Sequence, residues 1–97
     1  MSYEPYIIVR KKDLESHENE IEFGEYDEIK KIKGKKAEEK IKDIEDTYDV
    51  LKRALNDKDT IKFAEIELVI FWVEYTSNNK NVRNLLDKLG IEYKLWN

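Results

Sequence analysis

The single histidine, His17, is the first candidate for catalysis, because imidazole is the most common general acid or base near neutral pH. It lies in a polar stretch at residues 15–19, and a catalytic histidine needs a positioned partner that this stretch does not predict. The three serines, Ser2, Ser16 and Ser77, lack the strand–turn–helix setting of a nucleophile elbow. The sequence therefore favours an exposed loop histidine, and we expect neither enzymatic activity nor a catalytic residue.

Alternating carboxylates are the next candidates, since hard cations bind clustered oxygen ligands. Glu18, Glu20 and Glu22 would share one face of a strand, but no histidine or fixed loop accompanies them. The segment 57–59 resembles the start of a calcium loop, yet the glycine and terminal glutamate of that motif are missing. The sequence predicts a solvated acidic face, with no metal ligand and no cofactor.

Five lysines around Gly34 are candidates for anion or nucleic-acid contacts, because they precede a predicted helix whose N-terminus attracts negative charge. Residues 29–42 hold seven lysines against two glutamates, whereas residues 1–28 hold nine acidic and three basic groups. The glycines of a P-loop are absent. The net charge of −4 favours a solvated basic patch over a nucleic-acid site. The five lysines are Lys30, Lys31, Lys33, Lys35 and Lys36.

The element that would position these groups is a long amphipathic helix, predicted over residues 35–56 by an apolar seam with a 3.5-residue period. Charged residues occupy most other positions of the segment. Such a seam suits pairing with a helix of another subunit as well as packing on a sheet. Tyr48, Leu51 and Leu55 are its candidate interface residues; the whole seam comprises Ala37, Ile41, Ile44, Tyr48, Leu51 and Leu55.

The remaining elements predict a single α+β domain over residues 1–97, with a small mixed sheet and the order β-β-α-β-α-β. The long helix is expected to pack on this sheet. A short helix within residues 80–89 should end at Gly90 and join the last two strands by a right-handed parallel crossover. The strands are predicted at 5–11, 20–23, 60–75 and 91–96 from their β-branched and aromatic content.

Residues 60–75 have two interpretations. As a strand, the segment should bend near Ala64, and its apolar run from Leu68 to Val73 predicts a strand covered on both faces. As a helix, it would give a mostly helical winged helix-turn-helix protein. Arg83 and Asn84 would then lie on a recognition helix, since arginine and asparagine read base edges. The β-branched content favours the strand.

Composition limits the class of protein. The 97-residue chain has no cysteine and 41% charged residues, and its longest apolar run is far shorter than the roughly 20 residues that cross a bilayer. No secretion signal is recognised, so we expect a cytoplasmic protein without a membrane partner. Abundant lysine, glutamate and isoleucine, with no glutamine, favour a thermophilic archaeon or an archaeal virus; for a virus, the location is the host cytoplasm.

The leading functional hypothesis is a non-enzymatic interaction protein that acts through a homodimer or another partner surface. Trp96 is a candidate anchor, because aromatic residues are enriched at interfaces. The first alternative is a nucleic-acid-binding transcriptional regulator of helix-turn-helix type. The second is a small acidic inhibitor that mimics nucleic acid through residues 15–28. No small-molecule substrate is evident.

Overall fold

The computed structural model describes residues 5–73 and 77–96 of the 97-residue chain. Three helices separate the first two strands, and a fourth helix separates the last two. The predicted α+β class is therefore confirmed. The strands are β1 (Tyr6–Arg10), β2 (Ile61–Phe63), β3 (Ile66–Phe71) and β4 (Tyr93–Trp96); the helices are α1 (Lys11–Ser16), α2 (Glu18–Ile29), α3 (Ala37–Leu55) and α4 (Ser77–Leu89).

The four strands form one antiparallel sheet in the order β2-β3-β1-β4. β1 is central, and its Ile7 lies opposite Phe71 of β3 on one side and Leu95 of β4 on the other. This connectivity is that of a ferredoxin-like β-α-β-β-α-β arrangement. The sheet is antiparallel rather than mixed, because β1 lies between β3 and β4 and pairs with both.

The long helix predicted over residues 35–56 is confirmed as α3, Ala37–Leu55. Glutamates in its first turn and Lys52 and Arg53 in its last turn complement the helix dipole. Its seam packs against α2 and α4, with further contacts to α1. The apolar side of α3 is therefore covered largely by helices of the same chain.

The strand predicted at residues 20–23 is wrong, because this segment lies inside α2. Only Ile21 of the segment is buried, while Phe23 is 70% exposed. An alternation of four residues is too short to distinguish a strand from a helix that buries one side chain per turn. Gly24 allows close packing on α3, since a Cβ at this position would lie 3.1 Å from the Tyr48 hydroxyl oxygen.

Residues 60–75 contain two strands, so the helical interpretation of this segment is wrong. β2 and β3 form a hairpin across Ala64 and Glu65, where a bend was expected. Ala64 has φ = 60°, the positive value that the first central residue of a type II′ turn requires. The helix-turn-helix arrangement therefore lacks its first helix. The last two residues of the predicted segment, 74 and 75, lie outside the described part.

α4 begins earlier than predicted, because Ser77 and Asn79 belong to its first turn rather than to a separate turn. Its end matches the prediction: Gly90 has φ = 76°, and the Ile91 N–H donates to the Leu86 carbonyl at 2.9 Å. The predicted direct crossover between the last two strands is wrong. β3 and β4 run in the same direction, but β1 is inserted between them.

One core joins the sheet to the helices. It includes Ile7 and Val69 from the strands, Leu14 and Leu51 from α1 and α3, and Leu86 from α4, none of them exposed. Of the helices in the described ranges, none combines the length and apolarity needed to cross a bilayer.

Candidate interaction surface

The two faces of the sheet differ in what covers them. Side chains alternate between the faces along a strand, and the register of β1 with β3 places Ile7, Val9 and Val69 on the same face. These three are buried in the core that the helices share. The opposite face carries the side chains at the intervening positions, where Phe63 is 73% exposed and Trp96 is 57% exposed. We call it the open face.

The open face is strongly apolar. The register places Ile8 opposite Ile70 and Leu68 opposite Ile61, so these four aliphatic side chains are cross-strand neighbours. Towards the hairpin, Phe63 lies opposite Ile66 and is 73% exposed. The open face comprises Tyr6, Ile8, Arg10, Ile61, Phe63, Ile66, Leu68, Ile70, Lys94 and Trp96.

Two aromatic rings stand at the other corner of the open face. Tyr6 lies opposite Trp96, and their ring centroids are 5.9 Å apart at an interplanar angle of 41°. A tilted pair at this distance is a favourable aromatic arrangement. Trp96 nevertheless stays 57% exposed. The apolar side chains thus run diagonally across the sheet, from Phe63 at the β2 edge to Trp96 at the β4 edge.

The charges of the open face lie to one side of this diagonal. The guanidinium group of Arg10 donates to Asp13 at 2.8 Å and to Glu92 at 2.9 Å. The hydrogen bond that Arg10 donates to Asp13 is the largest of the contacts that raise the pKa of Arg10. Lys94 lies opposite Ile8 on the same side. The carboxylates of Asp13 and Glu92 at the margin therefore offset the two cations of the open face.

The β2–β3 hairpin shows which face the chain leaves apolar. Lys62 lies opposite Glu67 on the helix side of the hairpin, and both are exposed. The apolar residues Ile61, Phe63 and Ile66 all lie on the open face. Amphipathic strands normally bury the apolar side and solvate the polar side. In the described residues both sides of the hairpin are exposed, so its apolar side is not buried.

A second concave region lies where α2, α3 and α4 meet. It is an open groove of about 370 Å³, with Ile44 and Leu85 among its apolar residues and Asn81 and Asn84 among its polar ones. Tyr48 lies at its base, and burial raises the pKa of the Tyr48 phenol above its ordinary value. The groove has the volume of a small-molecule site but is widely open to solvent.

An ion pair closes one end of this groove. Lys88 of α4 donates a hydrogen bond to the carboxylate of Glu28 at the end of α2. This hydrogen bond is the main cause that lowers the pKa of Glu28 and raises the pKa of Lys88. A second ion pair, between Lys52 and Glu25 at 3.3 Å, joins α3 to α2. These contacts hold the helical layer together. We assign the groove no ligand.

The predicted interface residues do not lie together. Tyr48, Leu51 and Leu55 are buried in the protein's own core, where α2 and α4 cover the seam of α3. The structure therefore places these three side chains in the core of the domain, which they hold together, and not on its surface. Trp96 is on the open face and is available to a partner.

The predicted anion contacts lie on two elements. Every one of the five lysines is exposed at the end of α2 or in the loop before α3, and Lys30 forms an ion pair with Asp27 at 3.3 Å. Arg83 and Asn84 lie on α4, where the Arg83 Nε donates to the Asn79 carbonyl at 3.4 Å. Asn84 lines the groove. The lysine loop comprises Lys30, Lys31, Lys33, Lys35 and Lys36.

The other polar candidates lie on α2 or in the turn before it. His17 joins α1 to α2, and its Nδ1 lies 3.0 Å from the Asp13 carbonyl oxygen. Glu18, Glu20 and Glu22 are in α2, where residues two apart point in different directions. The expected single acidic face is therefore wrong. In the described part of the chain, no three His, Asp or Glu side chains gather as they would around a metal ion.

The chain matches no known family model, no curated protein and no solved structure. The open face is the surface feature of the described residues that indicates a function.

Most residues of the open face were missed as functional candidates. The signal was present in the run from Leu68 to Val73, which predicted a strand covered on both faces. The described helices cover only one of these faces. β1 carried the same signal. A strand with one covered face needs apolar residues only at alternate positions, but β1 has three in a row at Ile7, Ile8 and Val9.

Proposed function

We propose that this protein is a non-enzymatic interaction module that binds another protein molecule through the open face of its sheet. The observation that carries the proposal is the uncovered apolar diagonal from Phe63 to Trp96. Contiguous apolar patches of this kind are uncommon on proteins that act as monomers. Their residue types, aromatic and aliphatic with charge at the margin, are those of the centre of a protein–protein interface.

The electrostatics of the face also support a protein partner. The described charges on it balance, and Arg10 already has two carboxylate partners. A strongly basic or acidic partner would find no complementary patch there. The surface of a partner that complements the open face is therefore apolar and carries no net charge.

Site-specific photo-crosslinking tests this function. A photoreactive amino acid replaces Phe63 on the open face or, as a control, Phe23 on α2, which is exposed to a similar extent at 70% compared with 73%. The two variants are expressed in cells and irradiated. We expect protein adducts from position 63 and none from position 23.

The absence of protein adducts at position 63, in a variant that retains its circular dichroism spectrum, would overturn this function. Adducts at both positions in equal yield would mean that exposure alone, and not the open face, determines the contact.

A second candidate is single-stranded nucleic acid bound on the same face, in place of the helix-turn-helix mode. Tyr6 and Trp96 offer aromatic rings for base stacking, and Lys94 lies beside them. Against it, the central positions of the face are aliphatic, and its charges balance. Titration with a labelled single-stranded oligonucleotide at two salt concentrations tests it, since such binding weakens steeply with salt. Binding lost in Trp96→Ala would favour this candidate.

A thermophilic source is a further part of the proposal, resting on the lysine and glutamate content and the absence of glutamine and cysteine. We expect a thermal midpoint above the range of about 45–65 °C that is usual for mesophilic domains. Calorimetry at neutral pH measures it, and a midpoint within that range contradicts a thermophilic source.

A further inference from the structure

We infer that the partner of the open face is a second copy of this chain, packed face to face so that two sheets form the centre of the dimer and the helices lie outside. This inference rests on the proposed function, because it names the protein that the open face binds. Three observations favour a second copy over a different partner: the apolar area, the charge balance and the sequence pattern of the strands.

The apolar area matches what a stable dimer needs. The exposed parts of Tyr6, Phe63 and Trp96 amount to about 350 Å², if a whole aromatic side chain counts about 200 Å². The aliphatic side chains of the face add about 150 Å², at roughly 100 Å² for a whole side chain. A standard interface removes about 800 Å² from each partner, a little more than half of it apolar.

The charges of the face permit self-association. In a two-fold dimer the same surface meets itself, so a face with net charge would repel its copy. Here Arg10 and Lys94 are balanced by Asp13 and Glu92 at the same margin. Glu92 and Lys94 are two residues apart in sequence, so the margin of each copy offers both a carboxylate and an ammonium group to its partner.

The strand pattern indicates that the face is covered as part of the protein's own architecture. β1 and β3 have apolar residues on both sides, as strands buried between two layers do. Two sheets stacked about 10 Å apart would cover both central strands. The hairpin would then bury its apolar residues Ile61 and Phe63 and solvate Lys62 and Glu67.

Sedimentation velocity of the full chain over a wide concentration range tests the inference. We expect a monomer–dimer equilibrium with a Kd in the micromolar range or tighter. Phe63→Glu, which puts one charge on each side of the interface, should raise this Kd at least 100-fold. Phe23→Glu is the matched control, because Phe23 is equally exposed but lies on α2; its Kd should change less than threefold.

The outcomes separate the inference from the proposed function. One outcome is a chain that stays monomeric at a protein concentration 100-fold above the micromolar range while position 63 crosslinks to a different protein. This outcome overturns the inferred homodimer and retains the proposed function. A monomeric chain without protein adducts overturns both, and so does a monomer that binds an oligonucleotide through Trp96.

A dimer can also form elsewhere on the molecule. If Phe63→Glu leaves the Kd unchanged while the chain dimerises, the contact lies at a strand edge or a helix, and the inference fails. The inference also fails if Phe23→Glu weakens the dimer as much as Phe63→Glu does. Circular dichroism and urea unfolding of each variant confirm that the loss of dimer is not a loss of fold.

Discussion

The helix side and the open face of the sheet are made of similar residues but have different surroundings. On β3, Val69 points to the helices and is fully buried, whereas Ile66, three residues earlier, points the other way and is 46% exposed. The helix side is complete within one chain. The open face has the composition of a core without the layer that would cover it. Residue type alone therefore does not identify the core of this protein. The strand register and the part of the sheet that the helices cover determine which apolar side chains are buried.

The largest effect should come from placing a charge on each face in turn. Val69→Asp buries an unpaired carboxylate in the core and should abolish cooperative folding, a loss of more than about 4 kcal/mol. Ile66→Asp, on the open face of the same strand, should change the free energy of unfolding of the monomer by about 1 kcal/mol or less. Urea unfolding at low protein concentration measures both. Similar losses in the two variants would show that the open face is also packed.

A truncation on each side gives the next largest difference. Leu51→Ala leaves a cavity under α3 and should cost about 3 kcal/mol of unfolding free energy. Ile61→Ala, on the open face at the edge strand β2, should cost less than about 1 kcal/mol, because Ile61 is 53% exposed. Chemical denaturation compares the two, and a small loss for Leu51→Ala would mean that α3 packs loosely on its neighbours.

The ion pair between α2 and α4 should have a smaller effect that depends on pH. The pKa of Glu28 is lowered in the folded protein, so its contribution is present at neutral pH and is lost as the pH falls through that lowered pKa. The pKa of Lys88 is raised, so its contribution is lost only at strongly alkaline pH. Because Lys88 is 59% exposed, Glu28→Gln should cost at most about 1 kcal/mol at neutral pH.

Unfolding measured for Glu28→Gln at neutral and acidic pH checks both the size and the sign. The gap between variant and parent should narrow as the carboxylate becomes protonated. A gap that is constant over this range would mean that the substitution acts through packing and not through the ion pair.

The smallest effect concerns the hairpin that extends the open face. Ala64→Gly removes the strain of a Cβ at φ = 60° and should stabilise the protein by about 0.5 kcal/mol, after the entropy cost of glycine. Thermal unfolding against the parent measures it. A loss of stability would mean that the Ala64 methyl group contributes packing that outweighs its backbone strain.

The elements with strong periodicity could be predicted from the sequence. The seam of α3 and the C-terminal glycine of α4, Gly90, have local causes, so their positions follow from nearby residues. α1 and α2 were missed because each buries very little: Leu14 in one and Ile21 in the other. Helices with one buried residue leave almost no periodic pattern, and their position depends on tertiary packing.

The candidate site was harder to predict because it depends on what covers a surface. The seam residues Tyr48 and Leu51 suited either a core or an interface, and only the placement of α2 and α4 assigns them to the core. The run from Leu68 to Val73 indicated two covered faces without indicating what covers them. Of the predicted interface residues, Trp96 lies on the open face, and its role at an interface stays a prediction.

The central position of β1 also determines when the sheet can assemble. Ile7 of β1 pairs with Phe71 and Leu95, which come much later in the chain. During synthesis β1 therefore leaves the ribosome long before either partner strand has been made. The helices between β1 and β2 rely on local hydrogen bonds and can form in the meantime, whereas sheet closure must bring together distant parts of the chain. Until that closure, both edges of β1 lack their hydrogen-bonding partners, and an unpaired apolar strand of this kind exposes the growing chain to aggregation.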